Sequence, residues 1–294
     1  MKKILVIGAA GLLGQKIFEY GRKQFDVLLG DINYFEFLPK EKYFNIDITD
    51  PTITNKKISE LNPEWVILTA AMTNVDQCEI NKELSYKVNV IGPKNVATAA
   101  KKIGSQLIYI STDFVFDGKK KLYDEKDQPN PLSNYGKTKL NGELEVKKID
   151  IDNLIVRTSV LFGWNLDPNN FNYVAWIYNK LKSNENIQIT NSQWNTPTLA
   201  DNLAQAILMA INKKLMGLYH MCGSECINRY DFALKVAKHF NLDDTLVKPI
   251  PEFKQKAERP KFSCLDNSKA SKDLNFQFYN IDEALIFMKK QKMN

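Results

Sequence analysis

The stretch MKKILVIGAAGLLG, residues 1–14, decides the fold class of this chain. Its apolar run KILVIG, residues 3–8, predicts a buried strand, and the helical spacing of the polar residues that follow predicts a helix. Gly8, Gly11 and Gly14 therefore fall in the turn between them. A signal peptide also begins with a basic and then an apolar segment. Because no small-residue cleavage site follows at the right distance, a strand that enters a helix fits better.

The alternation of apolar runs and amphipathic stretches continues outward from this turn. We predict further buried strands at residues 26–30, 65–70, 106–111 and 153–159, and helices near residues 12–23, 52–61, 81–103 and 133–148. Near-continuous apolar strands separated by helices indicate a parallel sheet that is covered on both faces. The sequence thus predicts an α/β fold, a doubly wound parallel sheet of the Rossmann type, over residues 1–162.

The composition changes after residue 162, where GWNLDPNNFNY, residues 163–173, is typical of a loop. We predict a smaller C-terminal α/β substrate domain over residues 163–294. Its helices are expected near residues 171–182, 199–212, 228–240 and 282–291, and its strands near 186–190 and 217–221. We expect residues from about 194 to 220 to pack back onto the first domain.

Composition excludes several classes of function. The 294 residues carry a net charge of +6, with 44% hydrophobic and 25% charged residues, and the lysines are spread along the chain. This favours a solvated surface over a nucleic-acid partner. The sequence contains no apolar run of about 18 residues, so we predict no membrane span. Four cysteines without a CxxC pair, and two histidines, predict no metal site, reduced thiols and a cytoplasmic location.

The glycine turn predicts a phosphate-binding site. Gly8 allows a tight turn, Gly11 lets a pyrophosphate approach the backbone, and Gly14 brings the helix close to the sheet, with the phosphate at the helix N-terminus. Three glycines in an ordinary loop are the alternative. The strand–turn–helix context and Asp31, at the end of the second strand, favour a dinucleotide. Asp31 can accept hydrogen bonds from the adenosine ribose, which slightly favours NAD(H) over NADP(H).

A second group of polar residues suggests proton transfer. Thr112 and Asp113 follow the strand at 106–111, and Tyr135 and Lys139 stand four apart, on one face of the helix at 133–148. Alone, Tyr135 and Lys139 fit an ordinary amphipathic surface helix. Together, the hydroxyl can orient a carbonyl, the phenol can exchange a proton, and the ammonium can lower the pKa of the phenol.

Longer motifs cover nearly the whole chain. They are GAAGLLG (8–14), DITDP (47–51), TAAMTNVDQCE (69–79), VNVIGPKNVA (88–97), STDFVFDG (111–118), YGKTKLNGE (135–143), VRTSVLFG (156–163), NTPTLADNLA (195–204), GLYHMCG (217–223), YDFA (230–233) and RPKFSCLD (259–266). Through them the chain resembles the extended short-chain dehydrogenase/reductase superfamily and, within it, the dTDP-4-dehydrorhamnose reductases. That resemblance implies reduction of a nucleotide-linked 4-keto-6-deoxy sugar by NAD(P)H in dTDP-L-rhamnose synthesis.

The resemblance also implies roles for individual residues. Catalysis would rest on Thr112, Tyr135 and Lys139. The cofactor would contact Gly8, Gly11, Leu12, Leu13, Gly14, Asp31, Asp47, Ile48, Ala70, Ala71, Thr73, Asn89, Tyr135 and Lys139. The nucleotide sugar would contact Thr112, Asp113, Phe114, Val160 and Arg259, the last at the nucleotide diphosphate. The resemblance is also compatible with a homodimer.

The chain departs from the family pattern at three positions near the sugar. Phe114 and Met72 stand where the family usually has Tyr, and Val160 stands where it usually has Trp. Two other functions stay open at this point. One is a sugar-nucleotide epimerase or dehydratase of the same superfamily. The other is a non-catalytic regulatory subunit that resembles the one attached to methionine adenosyltransferase.

Overall fold

Strands and helices alternate along the chain as the sequence predicts. A computed structural model describes residues 1–150, 152–167, 172–252 and 255–293. The strands are β1 (Lys3–Ile7), β2 (Asp26–Asp31), β3 (Tyr43–Asn45), β4 (Trp65–Leu68), β5 (Gln106–Thr112), β6 (Leu122–Tyr123), β7 (Leu154–Thr158), β8 (Leu161–Phe162), β9 (Ile187–Thr190), β10 (Trp194–Asn195), β11 (Thr198–Leu199), β12 (Gly217–His220), β13 (Ile227–Asn228), β14 (Val247–Ile250) and β15 (Cys264–Leu265).

The helices cover the sheets and link their strands. They are α1 (Leu12–Gly21), α2 (Pro51–Leu61), α3 (Val75–Ile80), α4 (Lys82–Tyr86), α5 (Gly92–Lys102), α6 (Asn134–Ile149), α7 (Tyr173–Lys182), α8 (Ala200–Lys213), α9 (Arg229–His239), α10 (Ser268–Leu274) and α11 (Ile281–Met293). No helix within the described ranges is long and apolar enough to cross a membrane.

A seven-stranded parallel sheet in the order β12-β7-β5-β4-β1-β2-β3 forms the centre of the fold. The strand order runs outward in both directions from β1 and β4, so the predicted doubly wound α/β fold is confirmed. All seven carboxyl ends lie at one edge, and ligands bind at this edge in open α/β sheets. The glycine turn after β1 and Thr112 at the end of β5 are thereby placed at the same edge.

Alternate residues of β1 face two separate hydrophobic layers. Ile4 and Val6 pack in the layer that contains residues of α1 and α8, whereas Leu5 and Ile7 pack in the layer with residues of α2, α5 and α6. All four side chains are buried. This explains the uninterrupted apolar run, since a strand covered on both faces needs apolar residues at every position.

The C-terminal half contributes to two cores. Residues of α7, α9 and α11 pack with β9 and β14 in a cluster of their own. In contrast, β12 is the edge strand of the large sheet, with Tyr219 opposite Val156, and α8 packs on α1. The chain therefore returns to the first layer after residue 194, and we keep the boundary near residue 162 as a proposal.

The structure corrects some predicted elements. The helix predicted over 81–103 is interrupted by a π-helical turn, Lys87–Ile91, before α5 begins at Gly92. Pro93 offers a reason, because proline has no N–H to continue a helical ladder and is tolerated in the first turn of a new helix. The short helices α3 and α10 were not predicted. Residues 168–171, in the predicted loop and at the start of the predicted helix 171–182, lie outside the described residues.

The prediction that all the cysteines are reduced thiols is wrong for one pair. Cys226 and Cys264 form a disulfide, with their Cα atoms 5.6 Å apart, whereas Cys78 and Cys222 are free and buried. The two bonded residues are 38 positions apart in sequence. The fold brings the residue before β13 next to the first residue of β15, and cysteine spacing along the chain contains no sign of that proximity.

Candidate active site

The turn after β1 leaves no room for a side chain at Gly8 or Gly14. Gly8 has φ +95°, a left-handed conformation that favours glycine, and an added Cβ would lie 2.4 Å from the backbone nitrogen of Ala70. A Cβ on Gly14 would lie 2.4 Å from the carbonyl oxygen of Gly8. The turn therefore presents bare backbone, as a phosphate-binding turn requires.

Helix α1 begins directly at this turn. Gly11 is its N-cap residue and supplies no side-chain cap, and its first turn, which contains Leu12, Leu13 and Gly14, holds no acidic residue. The first N–H groups of a helix have no partner within the helix and carry the positive end of its dipole. The observed turn and helix start fit the pyrophosphate of a nicotinamide dinucleotide, which these residues would hold.

Two carboxylates lie at the ends of neighbouring strands, and both accept hydrogen bonds from nearby backbone N–H groups. Asp31, the last residue of β2, accepts the N–H of Ala10 at 3.0 Å and that of Ile32 at 2.8 Å. Asp47, which follows β3, accepts the N–H and the hydroxyl of Thr49. Asp31 is thus fixed beside the glycine turn, where a ribose is expected.

The segment after β4 is held by a buried amide. Asn89 accepts the N–H of Met72 at 2.9 Å and donates to the carbonyl oxygen of Met72 at 3.0 Å. Ala70 and Ala71 precede this contact, and Thr73 follows it on the exposed surface. Asn89 therefore fixes the backbone of the segment that carries the predicted cofactor contacts.

The Ile48 side chain packs in the layer of the sheet opposite α1 and α8. It is buried, and a Cβ added at Gly92 would meet it at 2.5 Å. Its carbonyl oxygen accepts a hydrogen bond from Asn95. These contacts give Ile48 a packing role at the edge where Asp47 lies.

Tyr135 lies in the first turn of α6, which Ser133 caps through the N–H of Gly136. The ring of Tyr135 is buried and meets Phe114 edge to face, with the centroids 5.8 Å apart. Burial raises the pKa of Tyr135 well above its usual range, while a hydrogen bond with Thr112 acts in the opposite direction. The prediction that this pKa is lowered is therefore corrected, because burial dominates and the groups that act on the phenol do not include Lys139.

Lys139 is buried one helical turn beyond Tyr135. Its Nζ donates to the carbonyl oxygen of Ile110 at 2.7 Å and lies 4.2 Å from the ring centroid of Tyr109. Burial lowers the pKa of Lys139 to about 7, although the charge of Glu143 raises it. The ammonium is thus poised to gain or lose its proton near neutral pH.

Asp113 follows Thr112 in the chain, and its side chain is almost wholly buried. Oδ1 accepts the hydroxyl of Thr112 at 3.0 Å, and Oδ2 accepts the hydroxyls of Ser159 at 2.8 Å and Ser263 at 2.5 Å. Burial raises the pKa of Asp113 despite these hydrogen bonds. The residue predicted to contact the sugar therefore supports Thr112 and links it to Ser263 of the C-terminal half.

Helix α6 also contributes to a buried ion pair. Glu143 accepts Nε of Arg157 at 2.8 Å and Nη2 at 2.7 Å, a two-pronged contact, and also the hydroxyl of Ser111 at 2.5 Å. The side chains of Glu143 and Arg157 are 1% and 2% exposed. Tyr135, Lys139 and Glu143 are spaced by four residues, so one stripe of α6 holds the phenol, the ammonium and this ion pair.

The remaining predicted sugar contacts lie on different elements. Val160 follows β7 with φ +42°, which is strained for a β-branched residue and costs about 1–3 kcal/mol. Arg259 donates through Nη1 to Asp76 at 3.1 Å and to the carbonyl oxygen of Ala257 at 2.9 Å. Arg259 therefore fastens the segment before β15 to α3, and its hydrogen bond lowers the pKa of Asp76.

Comparison with known proteins decides the family. The family model described as RmlD substrate binding domain matches residues 1–292. The chain belongs to this family. It is 31% identical over 299 residues to dTDP-4-dehydrorhamnose reductase of Aggregatibacter actinomycetemcomitans, with 97% of each chain covered.

Other family relatives differ in what their names describe. The chain is 31% identical over 278 residues to methionine adenosyltransferase 2 subunit beta of Xenopus tropicalis, covering 92% of this chain and 82% of the relative. A crystal structure of dTDP-4-dehydrorhamnose reductase from Bacillus anthracis, in complex with NADP, matches with a TM-score of 0.89. That match has 31% sequence identity and covers 99% of this chain and 100% of the other.

Several residues that contact the candidate site escape sequence reasoning. Ser159 and Ser263 bond Asp113, and Glu143 bonds Ser111, yet none of the three was predicted individually. Glu143 alone carried a signal, since it stands four residues after Lys139 on the same helix face. The serines reach Asp113 only through the folded arrangement of β7 and the segment before β15.

Proposed function

We propose that this protein reduces the 4-keto group of a nucleotide-linked 6-deoxy sugar, as in dTDP-L-rhamnose synthesis. The observation that carries the proposal is the cluster of Thr112, Tyr135 and Lys139 at the carboxyl edge of the sheet, beside a turn that fits a nicotinamide dinucleotide. When bound, the reduced nicotinamide supplies the hydride to carbon 4. The protein is accordingly an NAD(P)H-dependent oxidoreductase, in line with its family relatives.

Tyr135 is the proton donor in this proposal. Its raised pKa keeps the phenol protonated across the neutral range, and an acid must hold its proton until the transition state. As carbon 4 accepts hydride, the carbonyl oxygen takes the phenolic proton and becomes a hydroxyl. Tyr135 is left as a phenolate and regains a proton from solvent.

Thr112 and Lys139 prepare that transfer. The hydroxyl of Thr112 is held by Asp113 and by the N–H of Phe114, and its hydrogen bond with Tyr135 fixes the direction of the phenol. Lys139, when protonated, stabilises the phenolate that forms as the proton leaves. Its position on the same helix face as Tyr135 keeps that charge close.

Residues 113 and 114 favour reduction over elimination. A sugar-nucleotide dehydratase needs an additional acid and base beside the threonine, to remove a proton from carbon 5 and expel the 6-hydroxyl. Phe114 cannot transfer a proton. The carboxylate of Asp113 is buried and already accepts three hydroxyls, which makes it a poor second acid.

An epimerase and a regulatory subunit are the other candidates. The epimerase needs little beyond Tyr135, and the reductase-like segments downstream argue against it. Similarity to methionine adenosyltransferase 2 subunit beta equals that to the reductase in percentage identity, so identity does not separate them. The complete set of Thr112, Tyr135 and Lys139 favours an enzyme.

Stoichiometry tests the proposed function. Purified protein is mixed with dTDP-4-keto-6-deoxy sugar and reduced cofactor, and the loss of reduced-cofactor absorbance is compared with product formed. We expect one cofactor consumed for each sugar reduced, because the hydride leaves with the product. Turnover of a 4-hydroxy sugar nucleotide with no cofactor consumed would instead identify an epimerase or dehydratase, and no turnover at all would favour the regulatory subunit.

We also propose that Asp31 favours NADH over NADPH. Its carboxylate is fixed beside the glycine turn and would repel a 2′-phosphate while accepting ribose hydroxyls. The bound NADP in the Bacillus anthracis relative shows that a family member can hold the phosphorylated cofactor, so the preference needs its own measurement. Apart from the cofactor preference, we propose a cytoplasmic location and a nucleotide sugar as the binding partner.

Fluorescence titration with both reduced cofactors measures the preference. We expect about fivefold tighter binding of NADH, since one close charge contact contributes on the order of 1 kcal/mol in water. Asp31→Asn should reduce the ratio toward one. Asp26→Asn, at the opposite end of β2 and paired with Lys42, is the matched control and should leave the ratio unchanged. Tighter NADPH binding by the wild type would contradict the prediction.

A further inference from the structure

A disulfide and a buried serine are neighbours in the C-terminal half. Cys264, the first residue of β15, is buried and bonded to Cys226, which is exposed and directly precedes β13. Ser263 comes immediately before Cys264 and is itself buried. The covalent bond therefore restrains the backbone next to the hydroxyl of Ser263.

Hydrogen bonds lead from Ser263 to the candidate active site. Its hydroxyl donates to Oδ2 of Asp113 at 2.5 Å, and the amide of Asn195 donates to its oxygen at 2.7 Å. The amide thus occupies a lone pair of the serine oxygen, which leaves the hydroxyl proton for the carboxylate. The other carboxylate oxygen, Oδ1, accepts the hydroxyl of Thr112 at 3.0 Å. Ser263 is therefore connected, through a single carboxylate, to the hydroxyl that would orient the substrate carbonyl.

The other restraints on Ser263 come from short strand pairings. β15 is two residues long and pairs with β6, which is also two residues long. The N–H of Ser263 donates to the carbonyl oxygen of Trp194 at 2.9 Å, in the two-residue strand β10. Pairings this short are marginal on their own. The disulfide joins segments 38 positions apart, so breaking it would give Ser263 more freedom to leave Asp113.

The disulfide lies beside a cleft that a small thiol can enter. Cys226 lines this cleft of about 550 Å³ together with Lys121 and Lys261. Ammonium groups near a sulfur favour the thiolate, which is the form that attacks and leaves in thiol–disulfide exchange. Exposed disulfides are the more easily reduced ones. In a cytoplasm, the location proposed above, disulfides are rare and are usually catalytic or redox-sensing.

We propose that Ser263 is a positioning residue that holds Thr112 in place through Asp113. The Cys226–Cys264 disulfide in turn holds Ser263, so reduction of this disulfide by a dithiol lowers turnover. The inference rests on the proposed function for its reaction. The loss falls on kcat, because orientation of the carbonyl serves hydride and proton transfer, whereas most of the substrate is held by other contacts.

The exchange proceeds in two steps. A thiolate of the dithiol attacks the exposed sulfur of Cys226, the S–S bond breaks, and Cys264 leaves as a thiolate. The second thiol of the reductant then attacks the mixed disulfide and releases Cys226. The dithiol loses two electrons and becomes a disulfide, and its two protons pass to the two cysteine sulfurs.

Turnover of the keto sugar by the oxidised and the dithiothreitol-reduced protein tests the inference. Thiol titration of the denatured protein should count two thiols before reduction and four after it. Reduction should lower kcat about tenfold and leave KM nearly unchanged. A displacement of a reacting group by about 1 Å can cost about 100-fold, and the hydroxyl of Ser159 still holds Oδ2 of Asp113. Reoxidation with oxidised glutathione should restore kcat.

Three variants separate positioning from loss of folding. Ser263→Ala keeps the disulfide and should show the lower kcat in the oxidised state, with little further loss on reduction, because both changes act through one hydroxyl. Cys226→Ser should have the lower kcat and no response to dithiothreitol. Ser268→Ala removes another serine hydroxyl that donates to an aspartate, Asp266. This matched control should keep the wild-type kcat and the full response to dithiothreitol.

The outcomes distinguish this inference from the proposed function. Equal kcat in both redox states of the wild type overturns the inference and leaves the reductase proposal intact. Equal loss on reduction in the wild type and in Ser263→Ala also overturns it, because the disulfide would then act by another route. A parallel loss of NADH affinity would show general unfolding and has the same consequence. Absence of turnover in both redox states contradicts the reductase proposal, and this inference falls with it.

Discussion

Replacing Tyr135 by phenylalanine should lower kcat for the keto sugar by about 10²–10⁴-fold, the usual contribution of a general acid. The change removes one hydroxyl and with it the proton that the proposed mechanism delivers to the carbonyl oxygen. The ring keeps its edge-to-face contact with Phe114, so the fold and the cofactor affinity should stay as in the wild type. Single-turnover rates and NADH titration measure the two quantities separately.

Tyr219→Phe is the matched control for this experiment. Its hydroxyl also bonds a neighbouring side chain, Asp273, at 2.8 Å, but Tyr219 lies on the edge strand β12. Loss of that hydroxyl should leave kcat unchanged. Reduction at near wild-type rate by Tyr135→Phe would remove Tyr135 from the mechanism and leave the source of the proton unassigned.

The second large effect is expected from Glu143→Gln, which should lower the free energy of unfolding by about 3–5 kcal/mol. The substitution keeps the size of the side chain but leaves the charge of Arg157 buried without its partner. Removing one member of a buried pair is costly, whereas removing both is not. Glu143→Leu combined with Arg157→Met should therefore recover most of the loss, as measured by urea unfolding followed by circular dichroism.

An exposed ion pair provides the comparison. Nζ of Lys180 and Oε2 of Glu185 lie 2.6 Å apart, but the two side chains remain 40% and 51% exposed. Exposed ion pairs contribute at most about 1 kcal/mol to the free energy of unfolding. Glu185→Gln should leave the urea midpoint almost unchanged. If Glu143→Gln and Glu185→Gln cost the same, burial would not be what gives the Glu143–Arg157 pair its importance.

Sequence patterns predict the first half of this fold well because local chemistry decides it. A strand buried on both faces is apolar at every position, and β1, β2, β4, β5 and β7 begin and end within two residues of the predicted limits. The glycine turn and the spacing of Tyr135 and Lys139 are likewise local features. The interruption of helix 81–103 was missed because helical periodicity continues through the π-helical turn.

Contacts between residues that are far apart in sequence could not be predicted in the same way. Ser263 reaches Asp113 across 150 positions of sequence, and the disulfide joins segments that no pattern relates. The direction of the pKa shift at Tyr135 depends on burial, which the sequence does not quantify. Sequence reasoning therefore predicts candidate reacting groups but not the residues that hold them.

The stripe of α6 that carries Tyr135, Lys139 and Glu143 has a consequence for motion. Local opening of a protein costs little where few buried contacts must break, and costs as much as global unfolding where the core itself is involved. Displacing this helix face would expose the Glu143–Arg157 pair and part a layer that includes Val146. We therefore expect Tyr135 and Lys139 to keep their places when surface loops open locally, because they share this helix face with the buried pair.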